Sequence, residues 1–260
     1  MTRKENVRIT ILQIDTVWGD PAANIGAAER MMTAAPASDV YVLPEMWATG
    51  FDTSDPAAAF TNEPLAWMAD AARRRGCAVC GGVIAQCADG AYRNRHCFVR
   101  PDGRITYYDK RHLFTYGGED KTYVPGTQRV VAEYGGVRFL LQTCYDLRFP
   151  VWMRNRNDYD AVLIVANWPE SRRGAWYVLL RARAIENQCY VIAANRAGTD
   201  PSCRYMGDSA VIDAKGRTVA QAAAGGMAQY VSAELDMDSL ERFRSKFPVL
   251  NDIDDFELRL

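Results

Sequence analysis

The sequence predicts an α/β fold, and three observations predict it. Runs rich in β-branched and other apolar residues, short enough to be strands, alternate with longer segments that open on helix-start signals. The run Ala161-Val162-Leu163-Ile164-Val165-Ala166 contains no polar residue, as expected of a strand covered on both faces. Three chemistry-bearing residues stand just beyond the ends of such runs, and in open α/β sheets the carboxyl ends of strands are where ligands bind. With 260 residues, 48% apolar and 24% charged, the chain can bury a sizeable core and has the composition of a globular protein. It carries no low-complexity linker or solenoid repeat, so residues 1–260 are expected to form a single domain with a tail from Phe247 onward.

The elements follow in order. Residues 7–14 are rich in β-branched side chains and make a first strand. Asp20-Pro21 joins an N-cap to proline at the first helical position and launches an alanine-rich helix to about Ala35. Residues 40–43 form a short buried strand that stops at Pro44, and Glu45 is the polar group that emerges. Glu63-Pro64 opens a second helix ending near Arg75-Gly76. Residues 77–84, 93–99 and 104–108 are strands, the last two joined by Pro101-Asp102-Gly103, and Lys110 stands at the end of the third. The loop over 111–128 is long for a compact domain, and its Phe114, Tyr116 and Tyr123 point to packing over a site. Gly135-Gly136 then turns the chain into strand 137–141, which delivers Cys144. A short helix over 151–156, strand 161–166 and a helix over 174–187 follow, the last with Trp176, Leu179, Leu180 and Ile185 at helical spacing. Strands at 190–194, 210–212, 218–220 and 229–235 precede a closing helix over 239–246.

Charge and cysteine usage narrow the class of partner. Thirty-one basic and 32 acidic residues are interspersed for a net charge of −1, which leaves no electrostatic footprint for nucleic acid or an anionic membrane. No run approaches transmembrane length, and the charged amino-terminal residues 1–6 are not followed by a signal-peptide core. Seven cysteines, odd in number and irregularly spaced, predict reduced thiols in the cytoplasm. Cys77 and Cys80 have the spacing of a zinc or redox pair but lie in an apolar run without a second pair, so packing is expected of them and no metal site.

Glu45, Lys110 and Cys144 each follow a strand in the same way, so an open sheet would bring them to one crevice. Taken singly, each has a plain alternative: a capping carboxylate, a solvated hairpin end, a small buried thiol. Together they have a chemistry. A carboxylate can take the proton of a thiol, the thiolate can attack a carbonyl carbon, and an ammonium can neutralise the oxyanion. A cysteine–histidine dyad is open only to His112, because His96 sits within a strand.

The strings Leu43-Pro44-Glu45-Met46, Tyr108-Asp109-Lys110-Arg111-His112-Leu113-Phe114 and Cys144-Tyr145-Asp146-Leu147-Arg148-Phe149-Pro150 resemble the glutamate, lysine and cysteine motifs of the nitrilase, or carbon–nitrogen hydrolase, superfamily. Ala166-Asn167-Trp168-Pro169 and Gly207-Asp208-Ser209 support the resemblance, which spans nearly the whole chain and is nearest to the omega-amidase branch. The resemblance implies a four-layer α-β-β-α sandwich, usually a homodimer, with candidate contacts in the helix from Gly174 and the tail after Phe247. It implies Glu45 as general base, Lys110 as oxyanion stabiliser, Cys144 as nucleophile, Glu119 as the second glutamate and the Tyr145 N–H as an oxyanion donor. The substrate would be a small omega-amide of a 2-oxo acid, such as 2-oxoglutaramate, hydrolysed through a thioester with no metal or organic cofactor.

Beyond the motifs, an anionic substrate end suits an arginine, and Arg172 or Arg173 are candidates, with surface placement the alternative. Arg148, Asp146, Arg181 and Arg183, flanked by apolar residues, are expected in buried or interface ion pairs. Phe114, Tyr116 and Trp168 are candidate pocket walls. The competing functions are hydrolysis of N-carbamyl amino acids or of deaminated glutathione at the same site, and a non-catalytic interaction protein on the same scaffold.

Overall fold

The computed structural model describes residues 6–258; the charged residues 1–5 and the last two positions of the tail lie outside them. The first half of the chain runs β1 (Asn6–Gln13), α1 (Pro21–Ala34), β2 (Val40–Val42), α2 (Pro56–Ala59), α3 (Glu63–Arg75), β3 (Ala78–Gln86), β4 (Tyr92–Val99) and β5 (Ile105–Asp109). Then come β6 (Val131–Tyr134), β7 (Val137–Thr143), α4 (Pro150–Met153), β8 (Ala161–Ala166), α5 (Arg173–Glu186) and β9 (Tyr190–Asn195). The last part is β10 (Ala197–Thr199), β11 (Arg204–Met206), β12 (Ala210–Ile212), β13 (Thr218–Gln221), β14 (Gln229–Asp236) and α6 (Met237–Lys246).

Twelve of these strands build two six-stranded sheets, ordered β14-β1-β2-β3-β4-β5 and β13-β12-β9-β8-β7-β6. Each has three parallel strands at its heart, β1-β2-β3 and β7-β8-β9, with antiparallel strands outside them. The period-two alternation of strand side chains then sorts residues into layers. Ile9, Val40, Ala78 and Phe98 face Phe139, Leu141, Leu163 and Ile192 in one core between the sheets. The opposite faces of β2 and β3 send Tyr41 and Val79 against Ala28 and Met32 of α1 and Met68 of α3. The opposite faces of β8 and β9 send Val162, Ile164 and Val191 against Trp176, Leu180 and Ala184 of α5. The result is the four-layer α-β-β-α sandwich. Phe98 and Phe139 stack across the central seam with ring centroids 5.7 Å apart, and truncating either to alanine should cost about 3–5 kcal/mol.

Helix signals translate directly. The Asp20 carboxylate accepts from the Ala23 N–H, Pro21 opens α1, and Gly76 at φ 64° closes α3. The differences from expectation lie in short pieces. α2 opens with Asp55-Pro56, the signal that opens α1, but runs only four residues. β6 is a four-residue edge strand folded back on β7 through Gly135-Gly136, and β10 and β11 form a hairpin outside both sheets. The helix expected over 151–156 is the single turn α4, preceded by a 3₁₀ turn at Cys144–Arg148. Among the described residues, no helix is long and apolar enough to cross a membrane.

Candidate active site

Three strand ends meet at the site. Beyond β2 the chain turns sharply, with Met46 in the left-handed region at φ 42°, and this turns Glu45 inward until none of it is exposed. The turn rests on β3 through two backbone bonds, Gly82 N–H to the Pro44 carbonyl at 2.9 Å and Trp47 N–H to the Gly82 carbonyl at 3.2 Å. A Cβ at Gly82 would come within 2.7 Å of the Glu45 Cα, so only glycine allows this approach. Lys110 follows β5, its N–H held by the Asn94 carbonyl of β4 at 2.9 Å. The loop behind it closes through two 3₁₀ turns, Thr115–Gly117 and Glu119–Lys121, the second bringing Glu119 back to the lysine.

These residues form one buried network. Lys110 Nζ donates to Glu45 Oε1 at 2.8 Å and to Glu119 Oε2 at 2.9 Å, and none of the three side chains reaches solvent. Asn94 Nδ2 donates to Glu45 Oε1 at 2.7 Å and to Glu119 Oε1 at 2.8 Å. The second oxygen of Glu45 accepts from the Asn167 backbone N–H at 2.9 Å and from its side chain at 3.2 Å. The Phe114 N–H holds Glu119 Oε2 at 2.6 Å. Burial works against the charge of Lys110, but the two glutamates prevail and hold its pKa well above the usual lysine range. Burial also pushes the Glu119 carboxyl up, and Glu45 adds to this, while Lys110 and the amide of Asn94 pull it down.

Cys144 follows β7 at φ 44°, a left-handed conformation that costs a non-glycine residue about 1–3 kcal/mol. The strain is held by Asp146, which accepts from the Thr143 N–H at 3.0 Å, the Tyr108 hydroxyl at 2.8 Å and the His112 N–H at 3.0 Å. The turn throws the thiol out of the strand, 3.8 Å from the Asn167 carbonyl, the same residue whose N–H grips Glu45. Burial and the Glu45 charge push the Cys144 thiol well above its usual range, with Lys110 pulling the other way. A thiol so placed becomes a nucleophile only where a base can take its proton.

Cys144 and Lys110 open onto a cavity of about 350 Å³ whose walls include Phe114, Tyr116, Arg148, Trp168 and Arg172. Arg172 lies over the rings of Phe114 and Tyr116 at 5.1 and 5.4 Å, and Arg148 over Trp168 at 4.8 Å. Among the described residues, no cluster of three or more His, Cys, Asp or Glu side chains is arranged to hold a metal ion.

Residues 8–245 match the carbon–nitrogen hydrolase family. The chain belongs to that family. It is 44% identical to the omega-amidase YafV of Escherichia coli over 254 residues, covering 97% of this chain and 98% of that one. It is 34% identical to the 2-oxoglutaramate amidase of Bacillus subtilis, covering 94% and 96%. Its fold superposes with a TM-score of 0.93 on XC1258 of Xanthomonas campestris, a CN-hydrolase superfamily protein with an arsenic adduct in the active site. That protein is 39% identical, with 98% and 99% of the two chains covered.

Within this carbon–nitrogen hydrolase the expected residues divide into those brought together and those sent elsewhere. Glu45, Lys110 and Glu119 are in direct contact, and Cys144 shares the cavity with Lys110, Phe114, Tyr116, Tyr145, Trp168 and Arg172. Arg173 is a correction: it opens α5, where its guanidinium is held by both oxygens of Asp208 at 2.6 and 2.8 Å, away from the cavity. Arg148 lines the cavity over Trp168 and enters no ion pair among the described residues. Arg181 bonds to the Tyr177 carbonyl and the Thr218 hydroxyl, whereas Arg183 does pair with Glu186, at 3.0 Å. His112 donates from Nδ1 to Asp146 at 2.8 Å and stacks on Phe149, so it braces the turn that carries Cys144. Sequence reasoning passed over Asn94, which sits mid-strand in Arg93-Asn94-Arg95, where nothing but a polar residue between two arginines marks it. It also passed over the β10–β11 hairpin, which adds Cys203 and Tyr205 to the cavity wall.

Proposed function

We propose that this chain is a cysteine-dependent omega-amidase that hydrolyses the terminal amide of a small 2-oxo dicarboxylic monoamide, 2-oxoglutaramate or 2-oxosuccinamate, to acid and ammonia. The observation that carries the reading is that Lys110, paired with the buried Glu45, and a strained, outward-turned cysteine line one cavity walled by two arginines without carboxylate partners in that wall. The names of the relatives, omega-amidase and 2-oxoglutaramate amidase, agree with it.

In this mechanism Glu45 takes the Cys144 proton as the sulfur attacks the amide carbon. The carbonyl oxygen gains the negative charge, which Lys110 and the Tyr145 N–H stabilise; Tyr145 is the second residue of the 3₁₀ turn, where early N–H groups lack intrahelical partners. The C–N bond breaks, the nitrogen takes the proton from Glu45, and ammonia leaves a thioester on Cys144. Water then gives a proton to Glu45 and attacks the thioester carbon, and the acid departs as the thiol is restored. Glu119 fixes the lysine throughout, with no cofactor in the scheme. Arg172 and Arg148 meet the carboxylate at the far end of the substrate.

The chain acts as a single catalytic domain, and the exposed Val178 and Ile185 of α5 and Phe247 of the tail support a homodimer. All seven cysteines are free thiols, which supports a cytoplasmic setting. The test is an ammonia-release screen of 2-oxoglutaramate and 2-oxosuccinamate against N-carbamyl amino acids and deaminated glutathione. The 2-oxo amides should lead in kcat/KM; a larger value for either alternative class would replace this substrate assignment.

A further inference from the structure

We propose that Asn94 is a positioning residue that gives Glu45 and Glu119 a shared neutral donor, so that Glu45 can accept a proton beside the single buried lysine. The two carboxylates and one ammonium leave a net negative charge with no solvent contact, an arrangement in which one acid tends to hold a proton. Asn94 counters this without adding charge. Its side-chain nitrogen gives one N–H to each glutamate, at 2.7 and 2.8 Å, and its backbone carbonyl fixes the lysine's own N–H at 2.9 Å. Its side-chain oxygen is buried with no hydrogen-bond partner among the described residues, a cost that an apolar side chain of similar size would avoid. The residue is therefore explained by what its nitrogen does.

The charged and titratable groups that face this cluster are Lys110 after β5, Glu45 after β2, Glu119 in its 3₁₀ turn, Cys144 after β7, and Tyr123, whose ring oxygen feels both glutamates. A proton held by Glu45 would leave it unable to receive the one on Cys144. Removing the amide therefore acts on the reaction through proton occupancy and leaves substrate contacts as they were.

This inference rests on the roles proposed above for Glu45 and Cys144, though not on the identity of the substrate. The experiment is the rate of Cys144 alkylation by iodoacetamide as a function of pH, followed by peptide mass spectrometry, in the wild type, Asn94→Asp and Asn94→Ala. Asn94→Asp keeps the shape and replaces the donor with a third acid, so the acid limb should move up by about one pH unit or more. Asn94→Ala should move it in the same direction by less, and it carries the test should the acidic variant fail to fold. With the preferred amide, kcat at pH 7 should fall about tenfold or more while KM stays within about threefold. A limb at the wild-type pH in a folded Asn94→Ala protein, or a loss confined to KM, overturns the proposal. A wrong substrate leaves the alkylation profiles unchanged. A wrong role for Glu45 is read separately, since Glu45→Gln would then alkylate with the wild-type profile.

Discussion

The floor and the wall of the cavity are built on opposite physical terms. On the floor, Glu45, Lys110, Glu119 and Asn94 are shut away from water, and each charged group there is fixed by neighbours 2.6 to 3.2 Å away. On the wall, Tyr116 is 84% exposed and Arg172 is held by ring faces more than 5 Å away. A charge at the floor cannot be removed without leaving another buried and uncompensated, whereas a charge at the wall can return to solvent. Changes at the floor should therefore destroy chemistry and stability together, and changes at the wall should alter binding alone.

The sharpest way to break this contrast is at Cys144. Cys144→Ala should lower kcat by about 10⁶ and leave the melting temperature close to the wild type, because only a strained, partly exposed thiol is lost. Lys110→Met should also abolish measurable ammonia release, and it should destabilise the fold by about 3–5 kcal/mol as two buried carboxylates lose their counter-ion; denaturant titration checks the second effect. At the wall, Arg172→Ala should raise KM for a 2-oxo amide about 10–100-fold with kcat nearly unchanged, the loss expected of one hydrogen bond to a charged group. A comparable fall in kcat would mean that the wall takes part in the chemistry. Arg173→Ala removes a partner of Asp208 and should lower stability with KM unchanged.

A smaller effect separates the core between the sheets from both regions. His96 lies fully buried there, its Nδ1 3.1 Å from the Gln142 carbonyl, and burial pushes its pKa down from 6.5 to about 3 against that carbonyl's pull. Between those values the unfolded chain binds a proton that the native chain refuses, so stability is lost as pH falls from 6.5 toward 3. The slope due to this group is at most about 1.4 kcal/mol per pH unit. Urea midpoints measured across that range in the wild type and in a folded His96→Asn variant should differ by that slope; equal slopes would show His96 to be protonated in the fold.

Legibility in the sequence followed the same division. Strand ends carry their own marks, a break in apolar character followed by a charged or sulfur-bearing residue, so Glu45, Lys110 and Cys144 could be named before any geometry was known. The apolar run 161–166 coincides with β8, because a strand buried on both faces leaves an unbroken signature. Pairings made by distant segments leave no such mark. Nothing in the order of residues says that Arg173 will meet Asp208, 35 positions on, while Arg172 beside it faces the cavity. Arg148 looked like an ion-pair partner because it is flanked by apolar residues, and what it faces depends on where Trp168 is brought by the neighbouring strand. Short elements such as β6 and the β10–β11 hairpin are too brief for periodicity to register and owe their form to tertiary pairing.

The most direct test of the central account is acid-quenched turnover of the preferred 2-oxo amide, with the acyl group located by peptide mass spectrometry. The account predicts a mass increase of one acyl unit on the peptide holding Cys144, formed as ammonia is released and absent from Cys144→Ala. An acyl group on another cysteine, or ammonia release that persists in Cys144→Ala, would contradict it.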